Sequence, residues 1–85
     1  MQRYCLILCR SLTYAQSAAR ALEKNAISAA VRKAPSGLSI SGCSYCVGVS
    51  YTKGAAAAAV LRREGLLQGK IFLRRDDESY TEVIL

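Results

Sequence analysis

The sequence contains no histidine among its 85 residues. This absence excludes metal sites that mix cysteine with histidine, acid–base catalysis by imidazole, and Cys–His nucleophilic pairs within the chain. A suitably spaced pair of carboxylates, a phosphate-binding glycine loop and a cofactor fingerprint are missing as well. These absences argue against an independent enzyme, and we expect no cofactor and no resident metal.

Long apolar runs are also missing. The longest, residues 55–61, is far shorter than the roughly 20 residues that span a bilayer. The N-terminal segment MQRYCLILCRS has too brief an apolar core for a signal peptide and lacks a small-residue cleavage site. We therefore expect a cytoplasmic protein with no membrane partner.

Acidic residues are scarce in most of the chain. All 12 Lys and Arg lie in residues 1–75 with only Glu23 and Glu64, and the remaining acids lie in residues 76–85. With 52% hydrophobic and 21% charged residues, the chain is expected to form one folded domain at 1–75. The acidic extension 76–85 can add an edge strand or contact a partner. The scattered basic residues favour a solvated surface over a nucleic-acid site.

The hydrophobic pattern predicts two β-α-β units in succession. A Thr13–Gln16 capping box starts the first helix, and an alanine-rich helix runs from a cap at Thr52 to a stop at Gly65. Strands are expected at 3–9, about 28–34, 45–51 and 69–75. The order β-α-β-β-α-β is typical of an α+β ferredoxin-like sandwich, in which two helices cover one face of an antiparallel sheet.

The two halves resemble each other where their helices end. Segments 22–27 and 61–66, LEKNAI and LRREGL, share a leucine, two charged residues, a polar residue, a small residue and an aliphatic one. The right-handed crossover rule makes strands one and two parallel, with strand three between them. The end of strand one and the start of strand three then lie together, which predicts Cys9 and Cys43 as neighbours near the N-terminus of the first helix.

The four cysteines, Cys5, Cys9, Cys43 and Cys46, allow several chemistries. Cys5 and Cys9 are about 13 Å apart along a strand, too far to share a zinc ion whose thiolates lie within roughly 4 Å of one another. A site of Cys9, Cys43 and Cys46 stays geometrically open. Along an extended strand Cys43 and Cys46 are too far apart for a disulfide, but a turn at residues 42–44 brings them within reach.

The strand at 45–51 alternates between large and small residues. We expect the large residues to face the helices and the small ones to line an open sheet face. The first set is Tyr45, Val47, Val49 and Tyr51, and the second is Cys46, Gly48 and Ser50. Cys46 then lies on a bare face or in a subunit interface, which favours a homodimer. Nucleic acid is not the expected partner, because the tyrosines are turned away from a base-stacking surface.

Cys43 is the strongest candidate for a reactive thiol. It lies in a glycine- and serine-rich loop after Gly42, where nearby Arg10, Ser11 and the free N–H groups of the first helix favour a thiolate. Cys5, within an apolar strand, is expected to pack as a small hydrophobe.

These residues carry a family resemblance. The segments CRSLTYAQSAARALEKNAI and SGCSYCVGV make the chain similar, over about residues 3–75, to the small bacterial selenium/sulfur (Se/S) carrier protein-like domains. Leu12 and Cys46 depart from that family's pattern. The resemblance implies a relay in which Cys43 takes sulfur or selenium from a donor protein and passes it to an acceptor. Cys46 or Cys9 can then resolve the adduct as a disulfide. A non-catalytic assembly module and a basic nucleic-acid-binding domain are the alternatives.

Overall fold

A computed structural model describes residues 4–35, 45–67, 70–74 and 79–83. Within these ranges the chain forms five strands and two α-helices. In chain order they are β1 (Tyr4–Cys9), α1 (Leu12–Lys24), β2 (Ala30–Lys33), β3 (Tyr45–Ser50), α2 (Gly54–Arg63), β4 (Ile71–Arg74) and β5 (Tyr80–Val83). A 3-10 turn, Tyr51–Lys53, leads from β3 into α2.

The five strands form one antiparallel sheet in the order β2-β3-β1-β4-β5. The predicted α+β class is confirmed, as is the placement of β3 between the parallel strands β1 and β2. The predicted succession β-α-β-β-α-β is present in the first six elements. The sheet then continues into β5, from within the acidic segment 76–85, so the exact ferredoxin-like order is not matched.

The central strand β1 is buried on both faces, because β3 and β4 flank it and the two helices cover one side. Such a strand reads as an unbroken apolar run, here YCLILC. Cys5, Ile7 and Cys9 point toward the helices, where they join the main core. Leu6 and Leu8 point to the opposite side of the sheet, which we call the far face.

The helices cover the sheet closely because they present small residues to it. In α1 the buried positions are Ala15, Ala18, Ala19 and Leu22, and in α2 they include Ala57, Ala58, Val60 and Leu61. These positions recur every three to four residues and so form one stripe on each helix. Val47 and Val49 of β3 face the helices as predicted. No helix in the described ranges is both long and apolar enough to cross a membrane.

Both helices begin differently from the prediction. The N-cap of α1 is Ser11, whose Oγ accepts a hydrogen bond from the N–H of Tyr14 at 3.3 Å, so the Thr13 cap is wrong. Ser11 has the extended backbone (φ −148°, ψ 167°) that an N-cap requires, whereas Thr13 is already inside the helix. Thr52 lies in the 3-10 turn, and α2 starts after Lys53.

Tyr51 is a further correction to the predicted third strand. The strand ends at Ser50, and Tyr51 begins the 3-10 turn. Its side chain is 48% exposed and does not pack under the helices, whereas Tyr45 does contact the core on the helix side. The alternation of large and small residues in the sequence thus runs on to Tyr51, whereas the strand that it predicts ends one residue earlier, at Ser50.

Candidate functional site

Three of the four cysteines lie in the described part of the chain, and each is buried. Cys5, Cys9 and Cys46 are only 1–2% exposed, and all three are thiols, not disulfides. Cys43 and Gly42, the predicted acceptor and its preceding glycine, lie outside the described residues. The geometry that can be described is therefore that of the strands on either side of this predicted loop.

Cys9 and Cys46 lie on opposite faces of the sheet. Cys9 pairs with Tyr45 and joins the helix-side core, whereas Cys46 pairs with Leu8 and joins the far-face cluster. Side chains on opposite faces cannot bring two thiolates within roughly 4 Å around one zinc ion. The zinc site of Cys9, Cys43 and Cys46 that the sequence left open is therefore wrong, and a Cys9–Cys46 disulfide is excluded for the same reason.

Cys46 does lie on the far face, as its alternation predicts, but that face is not bare. Cys46, Leu6, Leu8 and Phe72 form a buried cluster there, each at most 9% exposed. The prediction failed because it used β3 alone, whereas β1 and β4 add large apolar side chains to the same face. A homodimer stays a prediction. The bare surface of small residues that suggested it is not what the structure shows on this face.

The thiol of Cys46 is held in its neutral form. Its Sγ donates to the carbonyl oxygen of Lys33 at 3.9 Å. Burial raises the pKa of Cys46, and the nearby positive charge of Arg32 opposes this only in part. Burial likewise raises the pKa of Cys5. Neither thiol therefore has the depressed pKa that marks a reactive cysteine.

A cavity of about 130 Å³ opens beside Cys46 on the far face. Its lining includes Tyr4 and Leu6 of β1, Arg32 of β2, Cys46 of β3, Arg74 of β4 and Tyr80 of β5. The guanidinium carbon of Arg32 lies 5.6 Å from the centre of the Tyr4 ring, a cation–π arrangement. Sequence reasoning missed this site because its residues come from five different strands. The sequence carries only a weak signal for it: Phe72 and Arg74 lie two residues apart in β4 and therefore on one face.

Arg10 and Ser11 follow β1 directly at the edge of the sheet where the predicted reactive loop joins β3. Arg10 is exposed, and the Ser11 hydroxyl is engaged in capping α1. At this edge Cys9 pairs with Tyr45, which follows Cys43 by two residues in the sequence. The structure thus confirms that the end of the first strand and the start of the third lie side by side at the N-terminus of the first helix.

A second, larger cavity lies on the helix layer. It measures about 310 Å³ and is lined by residues that include Arg20, Lys24, Asn25 and Glu64. Arg63 donates to the side-chain oxygen of Asn25 at 3.2 Å and so joins the two helix ends. This surface mixes both signs of charge, unlike the described lining of the far-face cavity.

Comparison with known families identifies the chain. Residues 4–73 match the family described as "Putative Se/S carrier protein-like", and the chain belongs to that family. The match confirms the resemblance found in the sequence and spans both helices and the strands β1 to β4 except Arg74. No curated protein and no solved structure matches the chain.

Proposed function

We propose that the protein is a cytoplasmic thiol-based carrier or relay for sulfur or selenium and that Cys43 is its acceptor. The observation that carries this proposal is the burial of the other three cysteines. A carrier thiol must meet a partner's thiol, and at 1–2% exposure Cys5, Cys9 and Cys46 do not reach the surface. In a chain whose family is named for Se/S carriage, this leaves Cys43 as the acceptor.

The loading step is a thiol exchange that needs no external oxidant. The Cys43 thiolate attacks the outer sulfur of a donor persulfide, a new S–S bond forms at Cys43, and the donor's S–S bond breaks. The donor leaves as a thiolate, so electrons and atoms balance. Delivery is the same reaction in the other direction, with an acceptor thiolate attacking the outer sulfur or selenium on Cys43.

The surroundings of the β1–α1 connection favour such a thiolate. The exposed cation Arg10 and the N-terminal end of α1 lie at the edge of the sheet where β3 begins, two residues after Cys43 in the sequence. Both a nearby cation and a helix N-terminus stabilise negative charge on sulfur. The main role that we assign to Ser11 is to cap that helix end.

A resolving role for Cys46 or Cys9 carries a physical cost. Both thiols are buried, and they lie on opposite faces of the sheet. Either one must be exposed by local opening of β1 or β3 before it can attack an adduct on Cys43. We therefore propose that resolution is slow and that the persulfide form of Cys43 persists long enough to meet an acceptor protein.

The test is to expose reduced protein to a low-molecular-weight persulfide and to take an intact mass, followed by peptide mapping. We expect one added sulfur atom, located on Cys43. The Cys43→Ser variant should lose this loading while keeping the amide spectrum of the folded protein, and Cys46→Ala, the matched control, should keep it. Loading of a folded Cys43→Ser variant would contradict the proposal.

The same experiment separates the carrier from an assembly module without thiol chemistry. Four unmodified thiols after persulfide treatment would favour the assembly module.

For either function we interpret β1–β4 with the two helices as a ferredoxin-like sandwich extended by β5. We propose a homodimer, since β2 is an edge strand of the sheet that the described residues form and such an edge can pair with a second copy; light scattering measures this directly.

A further inference from the structure

We propose that the far-face cavity beside Cys46 binds a small tetrahedral oxyanion of the phosphate or sulfate class. The proposal rests on the charge, the shape and the size of the cavity. It is independent of the carrier function, because it needs neither Cys43 nor any thiol transfer.

The charge of the cavity is positive. Arg32 approaches it from β2, and its described lining contains no carboxylate. Arg74 of β4 also lines it but is engaged in an interaction of its own. The Arg32 guanidinium lies over the Tyr4 ring, 5.6 Å from its centre. Such a contact orients the guanidinium plane and leaves its N–H groups to donate to an anion. Arginine is well matched to an oxyanion, because its planar fork can donate two parallel hydrogen bonds.

The floor of the cavity is apolar and neutral. Leu6 is 5% exposed, and Cys46 donates its thiol proton to the Lys33 carbonyl, so no thiolate repels an anion. Gly48 leaves space between Leu6 and Arg32, both of which line the cavity: a Cβ there would lie 3.6 Å from Leu6 Cδ2 and 3.9 Å from Arg32 Nε. Arg32 itself is exposed, so we expect its attraction for an anion to weaken as the salt concentration rises.

The size of the cavity limits the ligand. At about 130 Å³ it is smaller than the ~300–1,000 Å³ of sites that hold drug-sized molecules. A tetrahedral oxyanion has five heavy atoms and fits this space, whereas a nucleotide does not. The larger helix-layer cavity is a weaker candidate, because Glu64 lies in it beside Arg20 and Lys24.

The test is a titration of the full chain with inorganic phosphate and, separately, with sulfate, followed by amide chemical shifts at constant ionic strength balanced with chloride. We expect saturable shifts at Leu6, Arg32 and Cys46. Arg32→Gln should weaken binding about tenfold, as expected for the loss of a charge-assisted hydrogen bond. The matched control Arg20→Gln removes the same charge from the helix layer and should leave the affinity unchanged.

A second variant separates a shaped site from general attraction to positive charge. Gly48→Ala keeps every charge and introduces only ordinary van der Waals contacts, but it narrows the space between Leu6 and Arg32. We expect it to weaken binding while the protein stays folded. Non-saturable shifts, equal losses in Arg32→Gln and Arg20→Gln, or unchanged affinity in Gly48→Ala would each overturn the proposal. Because persulfide loading of Cys43 is measured separately, failure here leaves the carrier proposal standing.

Discussion

At the scale of single residues, two different residues, Ala26 and Gly65, occupy the same position after a helix. Each follows a helix in the left-handed conformation, with φ of 62° and 72°. At α1, the N–H of Ala26 donates to the Glu23 carbonyl and that of Ile27 to the Leu22 carbonyl, at 3.1 and 2.9 Å. The same bonds recur after α2, so both ends are Schellman motifs. The similarity of LEKNAI and LRREGL thus has a structural cause.

Exchanging these two residues should change stability in opposite directions. An alanine in the left-handed region is less stable than a glycine there by roughly 1–2 kcal/mol. Part of this difference is offset because glycine loses more conformational entropy when the chain folds. We expect Ala26→Gly to raise the free energy of unfolding by about 0.5–1 kcal/mol and Gly65→Ala to lower it by about as much. A Cβ at Gly65 meets nothing within 4 Å, so the backbone alone decides.

Urea unfolding of both variants measures this directly. The double variant measures whether the two sites are coupled, because the Arg63–Asn25 hydrogen bond joins these two helix ends. A loss of stability in Ala26→Gly would show that the entropy of the unfolded chain outweighs the left-handed strain.

At the scale of elements, the start of α1 joins the sheet to the helix layer. Ser11 comes two residues after the last residue of β1, and its side chain supplies the hydrogen bond that the first turn lacks. The capping-box pattern of the sequence predicted Thr13 for this role, but Ser11 fills it. Ser11 caps the helix because its backbone is still extended where the chain leaves the sheet. The sequence pattern alone does not contain that information.

Removing the cap should destabilise the whole domain. We expect Ser11→Ala to lower the free energy of unfolding by about 1 kcal/mol, or roughly 4–8 °C in melting temperature for a domain of this size. Ser17→Ala is the matched control, since Ser17 lies inside α1, where alanine is the better helix former. The control should melt at or slightly above the wild-type temperature; if it loses as much as Ser11→Ala, the cap is not the cause.

At the scale of the whole molecule, the sheet buries cysteines on both of its faces. Cys5 and Cys9 pack in the core beneath the helices, and Cys46 packs among Leu6, Leu8 and Phe72 on the far face. Because burial raises the pKa of Cys5 and Cys46, the folded state holds these two protons more tightly than the unfolded chain does. Their contribution to stability is complete below the unfolded pKa of about 8.5. It is lost as the pH rises through the folded values.

Stability should therefore fall in alkaline solution. Each raised thiol contributes a slope of up to about 1.4 kcal/mol per pH unit above pH ~8.5. Urea unfolding in the presence of reductant, between pH 7 and 9.5, measures this slope. Cys46→Ala removes one of the two groups and should give a flatter profile. An unchanged slope in that variant would mean that the Cys46 thiol ionises as easily folded as unfolded.

Local pattern was enough to predict much of this protein. The apolar run of β1, the alanine stripes of the helices and the alternation of β3 determined the α+β class. The same patterns placed Cys46 and Val47 on opposite faces. These features depend on residues close together in the chain, whose periodicity reports which side of an element is buried.

Only the tertiary structure decided the rest. The far face is buried because Leu6, Leu8 and Phe72 meet Cys46 there, and the cavity exists because Arg32 and Tyr4 come together beside it. Each of these side chains belongs to a strand whose own sequence pattern does not indicate which residue of the neighbouring strand will lie beside it. The sheet register brings them together, and that register is set by the packing of all five strands at once.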